Sequence, residues 1–159
     1  MNLFPGRQSD DACQDHFFGV PAQNHNFVGR QNILAKMKEE ISSSTSGGCR
    51  PVALSGLGGM GKTQLMLQYC YLHRAEYQYV FWLEVEDKII AVDSFRRLAV
   101  NLGLDVTSLE KDSEGKVVEW VRKWLEKRTG WLLRLTMPIT PCPMIFSNSF
   151  ISPELVAKS

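Results

Sequence analysis

The sequence has no long hydrophobic run and almost no net charge. No apolar stretch approaches the roughly 20 residues that a membrane-spanning helix needs, so no membrane partner is expected. The 18 basic and 17 acidic side chains leave a net charge of +1, which argues against a broad surface for polyanions. Because no basic patch with interleaved aromatic residues occurs either, we expect no nucleic-acid partner.

Cysteines and the features of exported proteins are also scarce. The four cysteines are far apart and show no C-x-x-C spacing, which favours reduced thiols over disulfides or a zinc site. The first eleven residues lack the basic start and the apolar segment of a signal peptide. We therefore expect a cytoplasmic protein.

The composition is typical of one globular domain. The chain has 159 residues, of which 44% are hydrophobic and 22% are charged. Its most informative feature is a glycine-rich turn, Gly56–Thr63, which fits the P-loop pattern G-x-x-x-x-G-K-[ST]. The flanking patterns agree with this motif, since Pro51–Ser55 is typical of a short buried strand and Gln64–Leu72 of a helix.

The residue types of this turn suit a phosphate group. Gly58, Gly59 and Gly61 can adopt backbone angles that a side chain would forbid, so successive N–H groups can turn inward. They would face an anion at the N-terminus of the next helix, where the helix dipole favours negative charge. Lys62 offers an ammonium group to the outer phosphates, and the Thr63 hydroxyl can ligate Mg²⁺. A glycine-rich turn that binds nothing is the alternative.

The rest of the chain alternates strand patterns with helix patterns. The predicted strands are Pro51–Ser55, Tyr79–Val85 and a third that starts at Trp131–Leu133. The predicted helices are Arg30–Ser42, Gln64–Leu72, Ile89–Leu102, with Gly103 to end it, and Glu114–Thr129. The second strand is apolar almost throughout, which suits a parallel sheet covered on both faces. With right-handed crossovers, this order predicts a three-layer α/β fold.

Three phrases in the sequence resemble the NB-ARC domain of the STAND-type P-loop NTPases, and the likeness is greatest to fungal members. They are Phe27–Arg30, Leu54–Leu65 and Tyr79–Leu83. The resemblance implies that residues 27–135 are the N-terminal part of such a domain. Residues 1–26, which are polar and contain several Asn and Gln, are then expected to be a disordered or irregular leader.

The resemblance also implies a nucleotide site. It places Val28, Gly29 and Arg30 at the adenine and residues 58–63 at the phosphates. The implied binding residues are Val28, Gly29, Arg30, Gly56, Gly58, Gly59, Met60, Gly61, Lys62, Thr63 and Gln64, with Thr63 also ligating Mg²⁺. In this family, ADP is usually held tightly and exchange for ATP switches a signalling protein, so self-association is expected of a full-length member.

The sequence departs from the family after the third strand. There the family has a Walker B segment whose aspartate helps to hold Mg²⁺, whereas no carboxylate occurs here between Leu133 and Glu154. Three prolines, Pro138, Pro141 and Pro143, argue against a helix or a central strand in this region. We therefore expect about three of five core strands, an open edge on the P-loop strand and weak or absent hydrolysis. Little ordered structure is expected after Leu135.

A change of reading frame would explain this departure. If the codons of Leu135–Pro153 are read from each third base, they permit a peptide that begins Asp-Asn-Ala-Asp-Asn-Pro-Leu-Pro-Asp-Asp and looks like the missing Walker B strand and the loop after it. Met137–Pro138 forces its alanine, and Met144–Ile145 forces the last aspartate. Residues 136–159 are therefore hypothesised to be an out-of-frame tail. The sequences of the gene and its transcript across this region test the hypothesis.

Two other functions are compatible with the same residues, and whether the chain is an enzyme is left open. A catalytic P-loop phosphotransferase would need a general base, for which Glu84, Glu86 and Asp87 are the candidates. These acids are also typical of a solvated loop. A non-functional or purely interacting truncated fragment is the third interpretation.

Overall fold

A computed structural model describes residues 16–42, 52–54, 61–105, 114–136 and 144–147. Its strands are β1 (Phe17–Phe18), β2 (Val52–Ala53), β3 (Tyr79–Glu84), β4 (Trp131–Thr136) and β5 (Met144–Ser147). Its helices are α1 (Gln31–Ser42), α2 (Lys62–Leu72), α3 (Lys88–Asn101) and α4 (Glu114–Glu126), with a short 3-10 turn at Arg74–Glu76.

The five strands form one sheet in the order β1-β3-β4-β5-β2. The first three strands of this order are parallel, and β3 pairs with β4 along its whole length, from Tyr79 opposite Trp131 to Glu84 opposite Thr136. The fourth, β5, is antiparallel to both of its neighbours. The P-loop strand β2 therefore runs in the same direction as β4 but does not pair with it.

The two faces of the sheet are covered by different pairs of helices. On one face, α3 and α4 pack on side chains such as Phe81 and Leu133. On the other face, α1 and α2 cover Val80, Trp82 and Leu132. Because β3 and β4 are buried on both faces, their sequences are nearly all apolar rather than alternating. The predicted three-layer α/β fold, with β2, β3 and β4 as its three family strands, is confirmed.

The ends of α3 follow its local sequence. The Asp87 side chain accepts a hydrogen bond from the Ile90 amide at 2.8 Å and so caps the N-terminus. At the other end Gly103 has φ +93°, and the Leu104 amide donates to the Ala99 carbonyl at 2.9 Å. This is the bonding of a helix that ends in a left-handed glycine, as predicted for Gly103.

Two strands lie where the sequence predicted none. In the predicted irregular leader, β1 pairs with Val80 and Phe81 on the outer edge of β3. In the predicted tail, β5 pairs with both β4 and β2. The strand β5 begins after Pro143 and contains no proline, so each of its residues keeps a backbone N–H donor. The expectation of no central strand after Leu135 is therefore wrong. Among the described residues β2 is the last strand of the sheet, so its outer edge is open, as expected. The domain boundaries remain predictions.

Candidate functional site

The N-terminus of α2 begins at a glycine with a left-handed backbone. Gly61 has φ +74° and ψ +26°, and its carbonyl accepts the first helical hydrogen bond from the Leu65 amide at 2.9 Å. A side chain at this φ would be strained. The N–H groups of the first helical turn have no carbonyl partner within the helix, so they and the helix dipole present positive potential at this end.

The body of α2 is buried and its N-terminus is open. Met66, Tyr69 and Cys70 have no exposed surface. By contrast, Thr63 and Gln64 are exposed. Burial raises the pKa of the Cys70 thiol to about 12, so this cysteine stays protonated and unreactive. The buried body of α2 therefore holds the helix in place, while its first turn is exposed to a ligand.

A segment that we call the strap, residues 19–30, runs along α2 towards this end. The Tyr71 hydroxyl, in the last turn of α2, donates to the Pro21 carbonyl at 2.8 Å. In the first turn, Gln64 Oε1 accepts a hydrogen bond from Asn24 Nδ2 at 3.1 Å. These two bonds fix the strap at both ends of the helix. No sequence pattern linked Pro21 or Asn24 to α2, because such contacts have no periodicity.

The strap ends where α1 begins, beside the first turn of α2. Gly29 and Arg30 have φ of +81° and +59°, and the Arg30 carbonyl accepts from the Ile33 and Leu34 amides at 3.0 and 3.1 Å. This bend directs the Arg30 guanidinium to Gly61, where an added Cβ would lie 3.4 Å from Nη1. The structure therefore brings together two segments that are about thirty residues apart in sequence.

The other predicted site residues fall into two groups. Val28 is 86% exposed and leaves an apolar surface uncovered next to Gly29. Gly56, Gly58, Gly59 and Met60 lie outside the described residues. Among the residues that are described, no group of three or more His, Cys, Asp or Glu side chains could hold a metal ion, and no helix is long and apolar enough to cross a membrane.

Near the carboxyl end of β4, a cation stands where the family pattern has an apolar residue, two positions before the expected acid. Arg134 is only 2% exposed, and its guanidinium lies 4.0 Å from the centre of the Trp82 ring. Among the described residues, its Nε has no hydrogen-bond partner. Burial lowers the pKa of Arg134 to about 10, although the negative charges of Glu84 and Glu86 oppose this shift. The sequence signal was a charged residue inside the apolar run of β4.

The three candidate general bases have different surroundings. Asp87 is the cap of α3, so its carboxylate already has a structural role. Glu84 and Glu86 are exposed at the end of β3 and just beyond it. None of the three acids lies on β4 itself, although Glu84 is paired with Thr136 at the end of that strand.

The family model of the NB-ARC domain matches residues 30–135, about two thirds of the chain. The chain belongs to the NB-ARC family. As an NB-ARC domain, it has the P-loop NTPase fold and is a nucleotide-binding module of the kind found in signalling proteins. The match begins at Arg30 and ends at Leu135, so it spans both the first turn of α2 and the pair β3 and β4.

A relative supports this assignment. A nucleotide-binding leucine-rich repeat (NLR)-like protein from Hyaloscypha variabilis (strain UAMH 11265 / GT02V1 / F) is 29% identical over 124 residues, which cover 73% of this chain. The chain spans 12% of the length of that relative. No solved structure matches the chain.

Proposed function

We propose that this NB-ARC chain binds an adenine nucleotide, ADP or ATP, together with Mg²⁺, as the nucleotide module of a STAND-type signalling regulator. The observation that carries the proposal is the position of the Arg30 guanidinium next to Gly61 at the N-terminus of α2. The resemblance assigns these two segments to the base and to the phosphates of one ligand. Their proximity supports a single site.

The phosphate end of the site uses backbone and side-chain donors of the first turn of α2. The amides from Gly56 to Gly61, with Met60 among them, would surround the phosphates, and Gln64 lies at the rim. Lys62 is half-buried, and its ammonium would neutralise the outer phosphates. Thr63 is exposed and has the hydroxyl that would ligate Mg²⁺, which would neutralise further phosphate charge.

The base end of the site uses the strap. The exposed Val28 side chain offers an apolar surface on which a flat aromatic base can lie. Gly29 has no side chain to obstruct the approach, and the Arg30 guanidinium supplies hydrogen-bond donors and positive charge. The hydrogen bond between Asn24 and Gln64 would hold this surface in place relative to the phosphates.

Hydrolysis by this chain is proposed to be weak or absent. Transfer of a phosphoryl group needs Mg²⁺ and an ordered water, and an aspartate at the end of the Walker B strand usually supports both. At the end of β4 this chain has Thr136 in the position of that aspartate. The proposed function is therefore binding and exchange of the nucleotide rather than turnover, and self-association is proposed only for a full-length protein.

A binding titration with a fluorescent ADP analogue, with and without Mg²⁺, tests the proposal. Lys62→Ala is expected to weaken binding at least tenfold, because it removes a charge that neutralises phosphate. Lys116→Ala is the matched control, since Lys116 is exposed on α4, on the opposite face of the sheet. Equal binding by the parent and Lys62→Ala would refute the assignment of the site.

A second interpretation, a truncated fragment without a function of its own, is favoured by the buried Arg134 and by the end of the family match at Leu135. A chain that is insoluble, or that shows no cooperative unfolding transition, would favour this interpretation. Specific nucleotide binding by the folded chain would exclude it.

A further inference from the structure

A separate cavity of about 180 Å³ lies at the outer edge of β3, on the face that α3 covers. Its walls come from the end of β1, the end of β3 and the middle of α3. The lining residues are Phe18, Gly19, Trp82, Leu83, Glu84, Ser94 and Arg97. For comparison, a cavity of about 150 Å³ accepts a benzene molecule, so this one has room for roughly six to nine non-hydrogen atoms.

The shape of the cavity follows from the short β1. This strand pairs with β3 only as far as Phe81, and the chain then turns away at Gly19. Gly19 has φ +70°, and an added Cβ there would lie 2.5 Å from the Trp82 carbonyl oxygen. The backbone is thus pressed against β3 at this point. Beyond it, the edge of β3 at Leu83 and Glu84 faces the cavity instead of a strand.

A buried polar side chain in the wall of the cavity lacks a partner. Ser94 is 2% exposed, and among the described residues its Oγ has no hydrogen-bond partner. A buried hydroxyl without a hydrogen bond is costly and therefore uncommon in folded proteins. A bound polar group would satisfy it.

Opposite charges flank this hydroxyl. Glu84 lies at the end of β3, where it is exposed. Arg97 is one helical turn after Ser94 on α3, and its Nε lies 3.0 Å from Asp93 Oδ2. A guanidinium group has five N–H donors, so this ion pair leaves donors of Arg97 for a ligand. The wall of the cavity thus offers one anionic and one cationic side chain to a ligand.

We propose that this cavity binds a small zwitterion of the free α-amino-acid class. The ammonium group of the ligand pairs with Glu84, its carboxylate pairs with Arg97, and the Ser94 hydroxyl bonds to either group. The ring of Phe18 contacts the short side chain of the ligand. The volume of about 180 Å³ suits a short side chain.

This site is distinct from the proposed nucleotide site. The strands β4 and β5 separate β3 from the P-loop strand β2, which at roughly 4.8 Å per strand is a distance of about 14 Å. The cavity also lies on the side of α3, whereas α2 covers the other face of the sheet. The two proposals can therefore succeed or fail independently.

Titration of the full chain with L-serine and L-valine, followed by protein-observed NMR, tests the proposal. Saturable shifts are expected at residues around the cavity. N-acetylserinamide, which lacks both charges, is expected to bind at least tenfold more weakly. Lys62→Ala is expected to leave the affinity for the amino acids unchanged. An absence of saturable shifts in a chain that unfolds cooperatively would overturn the proposal, as would equal binding of the uncharged analogue.

Two pairs of variants assign the contacts. Glu84→Gln is expected to weaken binding about tenfold, whereas the control Glu86→Gln, at a nearby exposed acid, leaves it unchanged. Ser94→Ala is expected to weaken binding several-fold without lowering the stability of the free protein, because its hydroxyl has no hydrogen bond to lose. Equal effects of the two glutamate variants, or full binding by Ser94→Ala, would contradict the assignment.

Discussion

The replacement of Arg134 by leucine is expected to stabilise the protein. Arg134 lies in the centre of the sheet opposite Trp82, with both neighbouring positions on β4 fully buried. Burial lowers its pKa from 12.5 to about 10. A fall of this size corresponds to a penalty of about 3 kcal/mol on the charged form, at about 1.4 kcal/mol for each pK unit.

The contacts of the guanidinium offset only part of this penalty. Stacking on Trp82 at 4.0 Å contributes about 2 kcal/mol when the pair is desolvated. Leucine would lose that contact but would bury an apolar side chain, which is worth about 2 kcal/mol. We therefore expect Arg134→Leu to raise the free energy of unfolding by about 3 kcal/mol, within the range found when buried charges are replaced by apolar residues.

Urea unfolding at pH 7, followed by circular dichroism, measures this change. For a slope of about 2 kcal/mol per molar, the midpoint should rise by about 1.5 M. Circular dichroism is preferable to tryptophan fluorescence because the substitution alters the surroundings of Trp82. Arg96→Leu is the control, since Arg96 is exposed on α3 and should change the stability by less than about 0.5 kcal/mol.

The pH dependence gives a second measure of the same penalty. The pKa of Arg134 is lower in the folded protein, so the unfolded chain binds more protons between pH 10 and 12.5. Stability should therefore rise with pH across this window in the parent relative to Arg134→Leu. A leucine variant that is less stable than the parent by 1 kcal/mol or more would refute the reasoning, because it would show that the guanidinium has compensating partners.

Two further predictions concern α2 and the turn that follows it. Burial and the nearby Lys38 lower the pKa of His73. Its contribution to stability should therefore be lost as the pH falls below about 6.5, and His73→Gln should flatten the dependence of the melting temperature on pH between 7.5 and 5.5. Gly61→Ala should cost about 1 to 2 kcal/mol in urea unfolding and weaken nucleotide binding, because φ is +74° and the new methyl group would contact Arg30. Gly115→Ala, in α4 with open space around it, should instead add about 0.5 to 1 kcal/mol.

The sequence predicted the elements whose patterns are long and strongly periodic. The bounds of α3 and α4 are within three residues of the prediction at each end, because caps and apolar stripes mark them. The helix α2 begins at Lys62, two residues before the predicted start at Gln64, because Gly61 already serves as its cap. The predicted strand at 79–85 is β3, Tyr79–Glu84.

The arrangement of the site could be predicted only in part. The motif identified Gly61 and Lys62 at the start of a helix, but the approach of Arg30 depends on two left-handed residues and on the hydrogen bonds of the strap. Such contacts join residues 40 to 50 positions apart. The cavity at Ser94 could not be foreseen either, because it depends on where the two-residue strand β1 stops.

The region after Leu133 differs in character from the rest of the domain. The family match ends at Leu135, just after a buried arginine in a strand that is otherwise apolar. The sheet then continues through an antiparallel strand in the place where the family has direct pairing between the Walker B strand and the P-loop strand.

The backbone groups of β4 and β2 on these edges need hydrogen-bond partners. Any short strand-forming segment can supply them, and Ile145 and Phe146 are residues of that kind. Pairing of β5 is therefore explained by the edges that it covers, and it is compatible with an out-of-frame origin for residues 136–159. The same hypothesis supplies the aspartate that the end of β4 lacks.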